Sequence, residues 1–458
     1  MTTPFEYALE NQDTFLRELT EFLRIPSISA QPQHKADVRK AAEWAAAHCL
    51  SLGMSRAEIM DTEGHPVVYA EWLGAGSKAP TVIFYGHYDV QPAELKDGWH
   101  TEPFQPVIMD DKIFGRGTAD DKGQVFIHLK AFESFMKTTG TFPVNLKILL
   151  EGEEEVGSIH LRPFIKSHAE LLKADVGLVS DSGMIAPGMP TIVYGLRGLV
   201  ELEIYVTGPD HDLHSGAYGG TVDNPNHAIS RIVASLHDAQ GRIAIPGFSD
   251  DVRVLTPDER ETISHVPFTE AMWKAETNAP AIWGDPDFTL KERTGARPTI
   301  EVNGLFGGYT GEGSKTIIPS KATAKITCRL VPNQNPQKVF EAIERHVAAH
   351  TPPSVRSEVS FKRGEPGIVV DPHDPAMQVA VEAYRHSFGK EAIFSLEGGS
   401  IPAVMMLRES LGIPVILMGF GLPDDRLHSP NEKFSLEQFR LGIQTAIEFY
   451  RLLPEHKN

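Results

Sequence analysis

Apolar residues recur at helical spacing in the first part of the chain, and short apolar runs follow them. The spacing predicts helices over about 5–24 and 36–52. Later runs are rich in β-branched residues and bounded by Gly, Pro or acidic residues, as buried strands are: PVVYAEWL, PTVIFYG, VNLKILLEG and ADVGLVSDSG. Helical stretches near 123–137 and 159–172 separate the later runs. This alternation predicts an α/β fold with a mostly parallel sheet covered by helices.

The pattern changes near residues 195–198. The run VELEIYVTG alternates apolar and charged residues, as a half-exposed strand does, and a helix is predicted at about 226–236. Residues 241–298 are loop-rich, with many Pro, Asp and aromatic residues. Two antiparallel strands, a helix at 336–349 and the strand SEVSFKRGE then complete a region of α+β pattern.

The α/β pattern returns in the last part of the chain. A helix at 375–387, the strand IPVILMGFG and a helix at 435–452 are predicted there. We therefore predict an outer domain formed by residues 1–196 and 375–458. An α+β domain, residues 197–374, is inserted into it.

Composition narrows the function classes. The chain has 43 basic and 61 acidic residues, a net charge of −18, which argues against a nucleic-acid or membrane-surface partner because both need a positive field. The two cysteines, Cys49 and Cys328, are far apart and predict no disulfide framework. No signal-peptide pattern and no run of membrane-spanning length is present, so we expect a cytoplasmic location.

Candidate chemistry begins at GHYDVQP, which follows a predicted strand. His87 and Asp89 lie two apart on extended chain and project to the same side. His87 can bind a metal at the strand end, and Asp89 can accept a hydrogen bond from its other ring nitrogen. A His–Asp surface pair in a turn is the alternative.

Two acidic loops follow. GRGTADDKG marks a tight loop before a helix, where Asp120 or Asp121 could be an N-cap or a carboxylate that bridges two cations. EGEEEVGS holds four carboxylates that repel one another and need a cation or protons. Glu155 could bind metal there while Glu154 faces a water, or the loop could simply be solvated.

Two weaker signals complete the set: Asp181 in SDSG and His428 in RLHSPNEKF, each after a predicted strand. Taken alone, each is an ordinary loop residue. Together, the five loops follow strands of one predicted sheet, and ligands gather at the carboxyl ends of such strands. Two histidines and three carboxylates suit zinc, cobalt or manganese.

The chain resembles the M20 family of metallopeptidases, most closely its dipeptidase branch of carnosinases and cytosolic non-specific dipeptidases. The resemblance spans nearly the whole chain and rests on eight motifs in order: GHYDVQP, GRGTADDKG, EGEEEVGS, SDSG, DLHSGAYGG, GEGSKTIIPSKATAKITCRLVPN, LEGGSIP and LHSPNEKF. It implies a di-zinc exopeptidase-like catalytic domain over 1–196 and 375–458. The inserted residues 197–374 become a lid and dimerisation domain.

The resemblance also implies a ligand set for two divalent ions per subunit, Zn²⁺ first and Mn²⁺ or Co²⁺ as alternatives. Asp120 bridges both metals and is followed by a cis peptide bond. Glu155 joins His87 on one metal, and His428 joins Asp181 on the other. Glu154 is implied as the general base for a metal-bridged hydroxide, with Asp89 orienting His87.

Substrate contacts are implied in the same way. In the family, the histidine that corresponds to His214 reaches the active site of the other subunit of a homodimer and stabilises the oxyanion. Arg329 is implied to bind the substrate carboxylate, and Gly399 and Ser400 the substrate backbone. From the residues alone, His214 could be a loop histidine, Arg329 a solvated strand residue, and the Gly–Ser pair a plain loop.

The alignment of this chain to the family motifs leaves two alternatives open. Three consecutive glutamates, Glu153 to Glu155, stand where the family needs two, so an off-by-one alignment makes Glu153 the base and Glu154 the ligand. His211 lies just before His214 and presents the same ambiguity.

The expected substrate is a dipeptide or another short peptide. The simpler carboxypeptidase-like members of the family have a shorter lid, so the extra length of 241–298 favours the dipeptidase branch. The alternatives are an N-acyl-amino-acid deacylase or a succinyl-diaminopimelate desuccinylase-like amide hydrolase. A remote alternative that is not an enzyme is a binding protein with the same fold and no catalytic activity.

Overall fold

The computed structural model describes residues 2–399 and 401–456. It divides into two compact units. Of the described residues, the first unit comprises 2–194, 370–395 and 401–456, and the second comprises 195–369 and 396–399. The boundaries at 194/195 and 369/370 lie a few residues before those predicted from the sequence, and the assignment of 396–399 to the second unit was not predicted.

The chain up to residue 196 alternates strands and helices. The strands are β1 (Arg56–Met60), β2 (Val67–Trp72), β3 (Thr81–His87), β4 (Val107–Met109), β5 (Lys112–Phe114), β6 (Asn145–Glu151), β7 (Val176–Val179) and β8 (Thr191–Leu196). The α-helices are α1 (Pro4–Glu10), α2 (Gln12–Leu23), α3 (Lys35–Ser51), α4 (Lys122–Thr138), α5 (Leu161–Ser167) and α6 (Ala169–Leu172). Short 3₁₀ turns are Pro32–His34, Leu95–Asp97 and Glu154–Val156.

The second unit is α+β. Its strands are β9 (Gly198–Thr207), β10 (Leu213–His214), β11 (Thr299–Gly307), β12 (Ile317–Ile318), β13 (Lys321–Leu330), β14 (Arg356–Glu365) and β15 (Ile368–Val369). Its helices are α7 (Ser215–Tyr218), α8 (Pro225–Ala234), α9 (Pro257–Ser264), α10 (Glu270–Thr277), a π-helical turn (Glu292–Ala296) and α11 (Pro336–His350).

The remaining elements belong to the first unit, apart from the last two residues of one strand, 396 and 397, which belong to the second. They are α12 (Pro375–Phe388), β16 (Ile393–Glu397), α13 (Pro402–Leu411), β17 (Val415–Met418), β18 (Lys433–Ser435), α14 (Leu436–Leu452) and a 3₁₀ turn (Leu453–His456). In the described part of the chain, every helix is too short or too polar to cross a bilayer.

The sheet of the first unit has the order β1-β2-β6-β3-β7-β17-β8. The four central strands, β6, β3, β7 and β17, are parallel. The outer strands join them in antiparallel pairs. The predicted fold class is therefore confirmed, and the parallel centre brings the carboxyl ends of these strands to one edge.

Helix α4 positions one of the loops at that edge. Its residues from Lys122 to Phe135 are all buried, in contact with α1, α14 and β3. Such a helix can shift little, because protein interiors are packed as densely as organic crystals. The loop that precedes Lys122 therefore has a fixed end.

The second unit is built on an antiparallel sheet of order β11-β13-β9-β14. Alternate residues of β9, from Val200 to Val206, pack with the apolar faces of α8 and α11 into its core. Strand β11 lies at one edge and exposes the apolar side chains of Val302, Leu305 and Phe306. The run VELEIYVTG forms most of β9. Its period-2 pattern predicted that one face of this strand is buried and the other is partly exposed.

Some elements differ from the expectation. The helix predicted over 5–24 is two helices, separated at Asn11, whose side-chain amide donates to the Tyr7 carbonyl. The stretch 241–298 contains α9 and α10, each begun by a threonine N-cap. The capping box of Thr256 and Glu259 was the signal for α9, but its few apolar residues hid the helical period.

Candidate metal centre

Five chain segments of the first unit carry the candidate ligands to the carboxyl edge of its sheet. His87 is the last residue of β3, and Asp181 lies two residues beyond β7. Glu155 lies on the 3₁₀ turn that follows β6. Asp120 precedes α4, and His428 lies in the loop between β17 and β18. The structure thus brings together all five residues that were predicted as metal ligands.

These residues form two groups that share one member. His87, Asp120 and Asp181 form one, and Asp120, Glu155 and His428 form the other, with the ligand atoms of each group within 4.8 Å of one another. Asp120 Oδ1 lies 3.0 Å from His87 Nε2, and Asp120 Oδ2 lies 3.0 Å from His428 Nε2. Asp120 therefore offers one oxygen to each group, as a bridging carboxylate must.

The pairing of the other ligands corrects the expectation. Glu155 was expected beside His87, and Asp181 beside His428. Instead, His87 Nε2 lies 3.8 Å from Asp181 Oδ1, and His428 Nε2 lies 3.2 Å from Glu155 Oε2. Strand β3 pairs with β7, so the short segment after β7 ends beside His87. Glu155 is four residues beyond β6, far enough to reach His428.

The ring of His87 is oriented by the backbone. Its Nδ1 lies 3.0 Å from the carbonyl oxygen of Asp89 and 3.4 Å from Asp89 Oδ1. A donor N–H at Nδ1 leaves the lone pair of Nε2 facing Asp120 and Asp181. Asp89 was expected to orient His87 through its carboxylate, but its carbonyl is the nearer acceptor.

The carboxylate of Asp89 instead organises the acidic turn. Its two oxygens accept the backbone N–H groups of Glu154 and Glu155, each at 3.2 Å. Gln91, in the same motif, donates from Nε2 to Glu155 Oε2 at 2.8 Å. One short segment therefore carries one ligand and fixes the loop that supplies another.

The three glutamates have distinct surroundings. Glu153 is turned away from the two groups: its carboxylate accepts the His65 N–H at 3.1 Å and lies 2.8 Å from His160 Nδ1. Glu155 is the member that stands beside His428. This geometry favours the alignment with Glu155 as ligand and Glu154 as base over the shifted one.

Burial and neighbouring charges shift the pKa values of several groups in the centre. Burial raises the pKa of the Glu154 carboxyl well above its usual range, and the Asp181 carboxylate adds to the effect. Burial also raises the pKa of Asp181, to about 6. Hydrogen bonds with Asp120 and Glu155 raise the pKa of His428 to about 10. Burial works against ionisation of Asp120, but His428 and His87 hold its pKa below the ordinary value.

A carboxylate-rich centre of this kind suits divalent cations. Asp120, Glu154, Glu155 and Asp181 crowd four acidic groups beside two histidines, and like charges this close disfavour ionisation. Cations among them would favour the ionised forms. Imidazole and carboxylate ligands suit zinc and its neighbours rather than calcium.

Several residues around the ligands make supporting contacts that were not predicted from the sequence. Asp121 follows Asp120 across a cis peptide bond, as the resemblance implied, and its Oδ2 accepts the His87 N–H at 3.1 Å. A Cβ on Gly86 would lie 2.7 Å from that same oxygen, which explains the glycine before His87. Glu432 is fully buried beneath the Asp120 loop. The only indication of Glu432 in the sequence was its place in LHSPNEKF, the motif that contains His428.

The other candidate residues belong to the second unit. His214 is exposed where β10 meets α7, and its Nδ1 accepts the Gly216 N–H at 3.0 Å, so the neutral ring carries its proton on Nε2. His211 is paired instead with the adjacent Asp210. The Nε2–H of His214 is thus a donor suited to a developing negative charge.

Arg329 lies on β13 between Thr299 and Leu199 of the flanking strands. It is half-buried, and burial lowers the pKa of its guanidinium, with the nearby Arg363 adding to the effect. Gly399 follows β16 in the same unit. Ser400, the remaining candidate, lies outside the described residues.

Comparison with known proteins agrees with the motifs. The model of peptidase family M20/M25/M40 matches residues 83–451. A Cys-Gly metallodipeptidase of Schizosaccharomyces pombe is 35% identical over 457 residues, covering 96% of this chain and 95% of that protein. The crystal structure of human carnosine dipeptidase 1 superposes with a TM-score of 0.85 at 30% identity, covering 99% of this chain and 98% of that one.

A third similarity corrects one step of the sequence argument. Sso-CP2 from Sulfolobus solfataricus, an M20 family metallo-carboxypeptidase, superposes with a TM-score of 0.85 at 33% identity. The match covers 96% of this chain and 99% of that one. A carboxypeptidase can therefore have an inserted unit of this length, so the length of 241–298 does not separate the two activities.

The family match includes every residue of both groups, from His87 to His428. The relatives align over nearly their whole length, and the architecture agrees with theirs. The chain belongs to peptidase family M20/M25/M40.

Proposed function

We propose that the protein is a two-metal dipeptidase that hydrolyses the amide bond of dipeptides and other short peptides. The observation that carries the proposal is the pair of ligand groups that share Asp120. A Cys-Gly metallodipeptidase and a carnosine dipeptidase among its relatives support the substrate class.

The two ions are held by the residues described above: His87, Asp120 and Asp181 for one, and Asp120, Glu155 and His428 for the other. The donor set favours Zn²⁺, with Mn²⁺ or Co²⁺ as alternatives. When bound, such ions lower the pKa of water and polarise the scissile carbonyl.

Glu154 moves the protons. It lies among the ligands, where burial favours its protonated form and bound cations oppose that shift. Its carboxylate takes a proton from the attacking water as the new C–O bond forms. It then gives that proton to the amine nitrogen as the C–N bond breaks. A carboxyl with an upward pKa shift suits this double role.

Substrate recognition is assigned to residues of the second unit. The guanidinium of Arg329 binds the substrate carboxylate through a bidentate fork. Gly399 and Ser400 contact the substrate backbone. His214 donates from Nε2 to the oxyanion, and we propose that it does so in the active site of the other subunit of a homodimer.

The edge of the second unit supports a homodimer. Strand β11 has only β13 as a sheet neighbour among the described strands, and Val302, Leu305 and Phe306 are 39%, 49% and 49% exposed. An exposed apolar edge strand is a template for pairing with another chain. The net charge of −18 supports an enzyme without nucleic-acid or membrane partners, and we propose a cytoplasmic location.

A second candidate activity is carboxypeptidase cleavage of longer peptides. It is favoured by the likeness to the Sulfolobus solfataricus metallo-carboxypeptidase. Arg329 would serve either activity, because both substrates end in a carboxylate.

A substrate panel tests the proposal. Purified protein, metal-free or refilled with zinc or manganese, is given dipeptides, tripeptides, longer peptides and N-acyl amino acids. We expect metal-dependent cleavage of dipeptides, with little cleavage of the rest. Preferred removal of C-terminal residues from long peptides would establish the carboxypeptidase instead. Cleavage of N-acyl amino acids alone would establish a deacylase.

A further inference from the structure

Glu432 and Arg116 form a buried ion pair beside the metal ligands. Arg116 Nη1 donates to Glu432 Oε2 at 2.6 Å, and the two side chains are 2% and 0% exposed. Neither residue belongs to either ligand group. A buried ion pair adds little net stability in many proteins, because desolvation offsets much of its attraction.

Glu432 holds the loop that carries Asp120. Its Oε1 accepts the backbone N–H groups of Ala119 and Asp120 at 2.9 and 3.2 Å, and its Oε2 accepts that of Gly117 at 3.0 Å. The amide of the shared ligand itself is therefore bound by a carboxylate from the other loop. Without that carboxylate, three N–H groups in a buried loop would lose their acceptor.

Arg116 makes the reverse connection. It lies in the Asp120 loop, and its Nη2 donates to the carbonyl of Ser429, the residue after His428, at 3.4 Å. His428 has φ +59°, a left-handed conformation that non-glycine residues rarely adopt and that surrounding contacts must maintain. Each of the two loops thus supplies a side chain that holds the backbone at the ligand of the other.

We propose that Arg116 and Glu432 are positioning residues that lock the Asp120 and His428 loops together and so set the affinity of the metal centre. The inference rests on the proposed function, since it assumes that these groups bind two ions. Asp120 serves both ions, so loss of Glu432 weakens both. Arg116 acts at His428, so its replacement weakens chiefly the ion bound by Glu155 and His428.

The test measures metal affinity rather than turnover. Zinc binding to full-length wild type, Glu432→Gln and Arg116→Lys is followed by competition with a chromophoric chelator, and folding is checked by circular dichroism. Disruption of residues that orient metal ligands typically costs about 10- to 100-fold in affinity. We expect a loss in that range for both ions in Glu432→Gln. In Arg116→Lys, which keeps the charge but not the fork, we expect a smaller loss confined to one ion.

Glu133→Gln is the matched control. Glu133 is also a buried carboxylate paired with a buried cation, Lys130, at 2.7 Å, and it also accepts from Tyr7. It makes no contact with either loop in the described hydrogen bonds and ion pairs. We expect it to lower the melting temperature without changing zinc affinity.

Two outcomes overturn the inference alone: wild type binds two ions and both variants match it within about twofold, or Glu133→Gln loses affinity as Glu432→Gln does. Wild type that binds fewer than two ions overturns the proposed function, and the inference with it. The wild-type stoichiometry thus separates the two failures.

Discussion

Glu154 and Glu155 are adjacent residues with different surroundings. Glu155 is held by Gln91 and His428, whereas Glu154 is half-buried near the carboxylates of Asp120, Glu155 and Asp181. Their backbone N–H groups share one acceptor, the carboxylate of Asp89. One short turn therefore carries both the proposed ligand and the proposed base, and Asp89 supports the backbone of both.

Glu154→Gln separates these roles. The amide keeps the shape of the side chain but cannot accept the proton of water, and general-base catalysis contributes about 100- to 10 000-fold. We expect kcat to fall by that factor while two ions stay bound, measured by dipeptide turnover and by metal analysis of the same sample. Glu153→Gln, whose side chain faces His65 and His160, is the control and should keep most activity. Loss of an ion from Glu154→Gln would contradict the assignment.

Residue types and their order predicted the five residues that the structure brings into the two groups, because metal chemistry restricts the donors. They did not predict which of these residues lie in the same group. That pairing depends on how far each loop extends beyond its strand, which separates Asp181, two residues past β7, from Glu155, four past β6. Nor did they predict Glu432, whose role depends on backbone N–H groups that any sequence would supply.

At the scale of elements, α4 contacts both the segment that carries Asp181 and the helix α14. His128 is fully buried on this helix, with Nε2 2.7 Å from Ser180 Oγ and Nδ1 3.1 Å from the Tyr450 hydroxyl of α14. Ser180 donates its own proton to the Met418 carbonyl, so His128 donates from Nε2 and accepts at Nδ1. The neutral ring thus helps to hold the residue before Asp181.

This arrangement predicts a pH dependence of stability. Burial lowers the pKa of His128 from 6.5 to about 3. Between these values the unfolded chain binds a proton that the folded chain does not, so this contribution to stability is lost as the pH falls. From pH 7 to pH 5 the loss is about 2 kcal/mol.

The measurement is denaturant unfolding of wild type and His128→Phe at both pH values. The variant lacks the titrating ring, although it also loses two hydrogen bonds. We expect it to be less stable than wild type at pH 7, with the difference smaller by about 2 kcal/mol at pH 5. A difference that does not change with pH would show that His128 is not held neutral.

The strand pattern predicted the elements around this helix, because buried parallel strands are continuous apolar runs. It missed β16 and α13 (residues 393–397 and 402–411), where short apolar segments have no clear period. Residues 396–399 belong to the second unit although residues of the first unit precede and follow them in the sequence. Only tertiary contacts decide such an assignment.

At the scale of the whole molecule, the proposed homodimer predicts complementation between inactive subunits. His214→Ala lacks the oxyanion donor, and Glu154→Gln lacks the base. If His214 acts across the interface, a mixed dimer has one site with both groups intact. Random exchange of equal amounts should therefore restore roughly a quarter of wild-type activity.

The measurement is dipeptide turnover after the two variants are mixed under conditions that exchange subunits. Each variant exchanged with itself is the control and should stay inactive. Exchange that forms mixed dimers without restoring activity would show that His214 does not act in the partner's site.

The central claim is that two ions, held by two groups that share Asp120, are both needed for turnover. The most direct measurement is dipeptide hydrolysis by metal-free protein as zinc or manganese is added in known equivalents per subunit, with bound metal determined in the same samples. The account predicts that activity rises steeply only as the second ion binds and levels off at two per subunit. Full activity with one ion per subunit, or with none, would contradict it.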